Sequence, residues 1–198
     1  VRHGQSEGNI KHIVGGDYDL TDVGKKQAAD AAARLSHVPF AHIYSTGLKR
    51  TWTTGEIIRS GRPIPHSIHK DLRERGYGIH EDTDGIAYTA RYGNANKIAD
   101  SLPEPERRRY KTYPSYESDL ELMERYLSAL KQIASGHPGE HIGIASHGSA
   151  MRVLLICLNH IPRSKLDYGA VENAAHIIIE SDGRELAIKD AVGITVRT

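Results

Sequence analysis

The sequence of 198 residues has a single cysteine, Cys157, so it holds neither a disulfide framework nor a thiolate metal site. That residue lies inside Leu154-Leu155-Ile156-Cys157-Leu158, where a buried thiol is expected. No apolar run approaches membrane-spanning length, and no secretory hydrophobic segment is present in it. Net charge is nearly absent too, at +1, which removes the simplest argument for a polyanion-binding surface. No metal cluster is evident, and the arginines around His3 and His147 disfavour a divalent cation, so no metal and no cofactor are expected. What remains is an ordinary globular composition, 38% hydrophobic with 19 glycines, whose length suits one α/β domain over 1–198.

Two histidines stand out. Val1-Arg2-His3-Gly4 places a cation and an imidazole where an apolar strand would end. Far downstream, Gly143-Ile144-Ala145-Ser146-His147-Gly148 reads as a short buried strand that delivers His147 at its C-terminal end. Gly148 would let backbone approach a ligand, and Ser149 is expected to cap the following helix and leave its N–H groups to an anion. A strand leading into Arg2-His3 calls for apolar residues ahead of Val1. Residues upstream are therefore expected, a targeting segment there stays open, and the cytoplasm is the default location.

Several motifs in the right order resemble the histidine phosphatase superfamily, in its cofactor-dependent phosphoglycerate mutase-like branch. Arg2-His3-Gly4 is similar to the Arg-His-Gly signature, with Asn9 at the usual offset, and Asp19 to Gly24 to the Asp-x-x-Leu-Thr-x-x-Gly region. Ser45 to Thr54 resembles Ser-Ser-x-Leu-x-Arg-Ala-x-x-Thr, Leu72 to Gly78 the acid-bearing loop, and Ser146-His147-Gly148 the second histidine. Thr51 stands where the family often has alanine; Glu81-Asp82 replaces a Glu-Gly; Gly15-Gly16 lies where mutases carry a small hydroxyl residue, a role Ser6 could take over. The resemblance implies a three-layer fold, a parallel-dominated sheet covered by helices, with catalysis at the strand ends.

The local patterns agree. Thr21 is placed to cap a helix from about Asp22 to Leu35, and 41–45 reads as a strand before a helix carrying Arg50 and Thr54. A long helix from Tyr116 to Ile133 is expected to bury Leu120, Met123, Leu127 and Leu130, and Met151 to Leu158 forms an apolar helix. Two late strands are expected around Asp182-Gly183. A small cap or lid excursion occupies residues 80–116.

Cleaving a phosphate monoester requires a nucleophile, an acid for the leaving alkoxide and donors for the phosphoryl oxygens. His3 is the candidate nucleophile, forming a phosphohistidine, with its other ring nitrogen held by a carbonyl such as that of Gly4. Arg2, Arg50 and His147 would surround the phosphoryl group, joined by Asn9 and the N–H of Gly148. Glu74 is the candidate acid, its balance set by burial against Arg73 and Arg75. Tyr77 is a candidate substrate contact. Arg107, Arg108, Arg109 and Lys111 offer a selector for a second anionic group or merely a solvated rim, and Tyr88, Tyr92, Tyr110, Tyr113 and Tyr116 a wall for a sugar or aromatic group.

The expected partner is a small phosphorylated metabolite, not nucleic acid or membrane, and a homo-oligomer is left open. The compact interval between Glu74 and His147 favours hydrolysis over mutase transfer, because a phosphatase must admit water to phosphohistidine. A noncatalytic phospholigand-binding protein is the third alternative.

Overall fold

The computed structural model describes all residues, 1–198. Its centre is a parallel sheet in the order β3 (His66–Ile68), β2 (Phe40–Ser45), β5 (His141–Ile144), with Ile43 opposite His66 on one side and Gly143 on the other. The extended residues 1–3 continue it beside β5. Ser146 N–H donates to Val1 O at 2.7 Å and His3 N–H to Ser146 O at 3.0 Å, a parallel bridge between Arg2 and Ser146. Arg2 N–H then donates to Ala175 O, which joins β6 (Val171–Ser181) and its antiparallel partner β7 (Leu186–Ile194). The two late strands expected around Asp182-Gly183 are these.

Helices flank the sheet. α1 (Glu7–Ile10) and α2 (Asp22–Arg34) follow the first histidine, with β1 (Ile13–Val14) between them; α2 is capped as anticipated, Thr21 Oγ1 accepting from Gly24 N–H. Gly24 also permits a contact that no side chain would. A Cβ there would stand 1.9 Å from Gln5 O, and one on Gly4 2.1 Å from Gly24 O, so α2 packs directly onto the backbone behind His3. α3 (Lys49–Arg59) has no side-chain cap of its own; Asp17 Oδ1 accepts from the Lys49 N–H at 2.8 Å instead.

α6 (Asp119–Gly136) starts later than the pattern suggests, because Ser118 and Glu121 close a capping box. Its buried face is Leu122, Met123, Tyr126, Ala129, Leu130 and Ile133; Met123 and Leu130 are in the core as expected and Leu127 packs against it, while Leu120 stays outside. Tyr126 is drawn inward by a buried bond between its hydroxyl and Ser146 Oγ, 2.6 Å. α7 (Gly148–Cys157) packs between α6 and β6, joining the two larger core clusters. Cys157 is half-buried at its end.

The 80–116 excursion is built from β4 (Thr83–Asp84), which pairs with β1, and from α4 (Gly85–Asp100) and α5 (Glu104–Arg109). Asp82 takes a left-handed φ of 61°, so the turn expected to suffer from the missing glycine is formed by an aspartate that tolerates it, its carboxylate accepting from Tyr18 Oη. No helix is long and apolar enough to cross a membrane.

Candidate active site

Parallel strands that end side by side bring their C-terminal residues to one edge, and both histidines lie there. The rings of His3 and His147 meet edge to face with centroids 5.4 Å apart, and both are buried, His147 completely. His3 Nδ1 lies 2.7 Å from Gly4 O. A carbonyl can only accept, so the proton sits on Nδ1 and Nε2 keeps its lone pair. Burial, with the nearby cations Arg50 and Arg2, pushes His3 well below the ordinary histidine range. The same causes, burial first, then Arg50 and His3, depress His147. Both rings are therefore neutral at pH 7.

The cations are held by backbone. Arg2 Nη1 donates to Val171 O at 2.5 Å while its Nε is buried without a partner. Arg50 Nη1 donates to Gly16 O at 2.6 Å, and Thr54, one turn along α3, accepts from Gly4 N–H. Neither arginine has a carboxylate in contact, so a buried positive field stands ready for an anion. Arg2, His3, Arg50 and Glu74 all line one cavity of about 740 Å³.

Glu74 does not pair with Arg73 or Arg75 through their side chains. Its carboxylate accepts from the backbone N–H of Arg75 (2.9 Å), Ser149 (3.1 Å) and Ala150 (3.0 Å). The expected Ser149 cap is thus corrected: His147 occupies the cap position, and Glu74 takes two of the free N–H groups of α7. A carboxylate is the stronger partner for a helix N-terminus than a hydroxyl. Gly148 N–H is left free to meet a ligand, and Ser149 Oγ instead lies 3.2 Å from Tyr77 Oη. Tyr77, in the cavity wall, is pushed up to about 12 by burial and by Glu74.

Ser6 and Asn9 also line the cavity, but each is partly engaged by the other: Ser6 Oγ accepts from Asn9 N–H, and Asn9 Oδ1 from Ser6 N–H. Asn9 Nδ2 and the Ser6 hydroxyl proton remain free to donate.

The lid residues divide. Tyr88 and Tyr116 line the cavity, whereas Tyr92 and Tyr113 pack around His80. The basic run does not face the cavity at all. Arg107 bonds Asp100 and lies beside Asp119, Arg108 bonds Glu104, and Lys111 bonds Glu121, so the reading of this run as a substrate selector is corrected. Arg75 is likewise buried against Asp119.

Two arginines escaped the sequence reading. Arg125, on α6, donates to Asp71 O, Arg73 O and Glu74 O and pairs with Glu117, pinning the loop that carries Glu74. Arg152, on α7, lies in the cavity wall; Nε and Nη2 bond Leu166 O, and Nε also Asp167 O, while the guanidinium stacks 4.5 Å over Tyr168. The only signal for either was its period on an amphipathic helix.

Comparison with known proteins agrees with this geometry. "Phosphoglycerate mutase-like protein 4" of Arabidopsis thaliana is 34% identical over 169 residues, 78% of this chain and 67% of that protein. "Metal-independent phosphoserine phosphatase" of the same plant is 31% identical over 192 residues, 89% of this chain and 74% of that protein. The solved structure of Bacillus stearothermophilus YhfR superposes with a TM-score of 0.76 at 27% identity, covering 99% of this chain and 95% of that one. The family model described as histidine phosphatase superfamily (branch 1) matches residues 1–192. With a match that spans nearly every element and both strand-end histidines, the chain belongs to the histidine phosphatase superfamily, branch 1.

Proposed function

We propose that this chain hydrolyses small phosphate monoesters without a metal, through a phosphohistidine on His3. The observation that carries the reading is the 2.7 Å bond from His3 Nδ1 to Gly4 O, which leaves the Nε2 lone pair as the nucleophile in a cationic cavity. Nε2 attacks phosphorus as the ester P–O bond breaks. Arg2, Arg50 and the Gly148 N–H stabilise the phosphoryl oxygens, with Asn9 at the rim, and Glu74 supplies the proton to the leaving oxygen. Water then displaces the phosphoryl group from Nε2, its proton passing to Glu74. The bonds from Ser149 and Ala150 keep that carboxylate beside the reacting atoms in both steps.

Hydrolysis is favoured over mutase transfer by the compact interval between Glu74 and His147, which leaves the cavity open to water. The relative named a metal-independent phosphoserine phosphatase supports the same class of chemistry.

The test is a panel of phosphosugars, phosphoglycerates, phosphoserine and nucleotides. Release of inorganic phosphate, unchanged by chelator and abolished in His3→Ala, with an acid-labile, base-stable phosphoryl group on His3 in quenched reactions, is the expected result. Phosphate relocation without release would instead establish a mutase, and binding without turnover a phospholigand-binding protein.

A further inference from the structure

Behind His147, away from the cavity, lies a short row of hydroxyls. Thr46 Oγ1 is 2.9 Å from His147 Nε2 and 2.8 Å from Thr51 Oγ1, and Thr51 Oγ1 is 2.8 Å from Leu48 O. All three side chains are buried, so each proton needs an acceptor within the row. His147 Nδ1, the other ring nitrogen, has no protein partner.

Two proton arrangements satisfy the row. In one, Nε2–H donates to Thr46, Thr46 to Thr51, and Thr51 to Leu48 O. In the other the hydroxyls reverse: Thr51 donates to Thr46, Thr46 donates to the Nε2 lone pair, and the ring proton moves to Nδ1. Reversal leaves nothing unpaired, because Leu48 O already accepts from the backbone N–H of Thr51 and Trp52. A doubly protonated ring is compatible with the first arrangement alone, since Nε2–H then needs an acceptor and Thr46 must send its own proton onward. Only Thr51 can receive it. The alanine often found in the family at this place could not.

We propose that Thr46 and Thr51 are positioning residues that form a reversible hydroxyl relay, allowing His147 to take up a second proton at Nδ1 from solvent when a phosphoryl dianion occupies the cavity and to return that proton to solvent when the cavity empties. This rests on the proposed function and adds His147 to it: the ring meets His3 edge to face with centroids 5.4 Å apart, and Gly148, the next residue, lines the cavity, which places the phosphoryl group within reach of Nδ1. In the empty site the groups facing His147 are Arg2 and His3 from the first strand, Arg50 from α3 and Arg125 from α6, with Glu74 at the start of α7; the cations and burial keep the ring neutral. A bound dianion reverses that field, and the Nδ1–H then donates to a phosphoryl oxygen while Nε2–H donates into the relay.

The experiment uses the full chain with inorganic phosphate, comparing wild type, Thr51→Val, which keeps shape but not the hydroxyl, and Thr51→Ser, which restores it. Nitrogen-15 spectra of His147 in the phosphate complex should show both ring nitrogens protonated in wild type and Thr51→Ser, but only Nδ1 in Thr51→Val. The pH above which phosphate binding weakens should fall in Thr51→Val by about one unit or more, the loss of one hydrogen bond to a charged group, and return in Thr51→Ser. A neutral His147 in the wild-type complex overturns the relay, whether or not the variants fold. So does an unmoved pH limb in folded Thr51→Val, or a failure of folded Thr51→Ser to restore it. Absence of phosphate binding by wild type would overturn the proposed function and the relay together, whereas binding with a neutral ring would overturn the relay alone.

Discussion

Replacing Glu74 by glutamine separates the two jobs that the structure places on one carboxylate. Its oxygens accept from three backbone N–H groups, two of them at the start of α7, and it also stands in the cavity as the proposed proton donor. Glutamine keeps one carbonyl acceptor and loses the proton. The structural loss should therefore be about 1–2 kcal/mol, since the remaining oxygen can still serve Arg75 and Ala150 while the amide NH2 replaces the acceptor at the Ser149 N–H. Alanine removes every acceptor and should cost about 1–3 kcal/mol. Rate behaves differently. General acid catalysis is worth roughly 10² to 10⁴, but only where the departing oxygen is a poor leaving group. An alkyl phosphate should lose a factor in that range in both variants, equivalent to about 3–5 kcal/mol of barrier, while a nitrophenyl phosphate, which leaves as a stable phenolate, should lose far less. The assay is single-turnover formation of phosphohistidine under rapid quench with each substrate, beside thermal melts of the same preparations. Equal losses for the two leaving groups would refute the acid role and reduce Glu74 to an anchor for α7.

Arg125→Met should lower activity by about tenfold or more through displacement of the Glu74 loop, because a small misplacement at the reacting centre carries a large rate cost; unchanged kcat/KM would show the loop is held without it. Gly24→Ala should destabilise by about 1–3 kcal/mol, since its Cβ would stand 1.9 Å from Gln5 O, and denaturant titration reads the loss directly. Stability should also depend on acid. His3 and His147 have folded-state values below that of the unfolded chain, so the unfolded state binds more protons once pH drops under about 6.5. The contribution of these two rings is full above that pH and falls below it, at up to about 1.4 kcal/mol per pH unit for each ring, until the folded rings themselves protonate. His147→Asn should lower the slope by up to about 1.4 kcal/mol per pH unit in urea titrations between about pH 6.5 and 5, with His3, His42 and His176 keeping the rest, and an unchanged slope would contradict the assignment.

Much of the site could be read in the chain because its parts are local. Arg2, His3 and Gly4 are consecutive, and the Nδ1 bond to the Gly4 carbonyl joins neighbouring residues. His147 and Gly148 mark a strand end in the same way, and Arg50 sits one turn before Thr54. What escaped was set by distant partners. The basic run around Arg107 resembled a selector until Asp100 and Asp119 were placed against it, and Ser149 resembled a cap until Glu74, 75 residues earlier, arrived at the same N–H groups. On α6 the apolar period found Met123, Leu127 and Leu130, but not Tyr126, whose inward hydroxyl is matched by Ser146, 20 residues on. Asp82 shows the opposite case, a side chain that met the backbone demand expected of glycine.

The seat of Glu74 on α7 has a mechanical consequence. His147 ends the strand before that helix, Gly148 opens it, and the carboxylate is fastened to its next two amides, so acid, anion hook and second imidazole ride on a single stiff rod. A sideways slip of the rod is resisted at both flanks, because His3 N–H donates to Ser146 O, directly before the second imidazole, and Arg125 on α6 holds the Glu74 carbonyl. The spacing between the two imidazoles is therefore set by backbone bonds and not left to side chains.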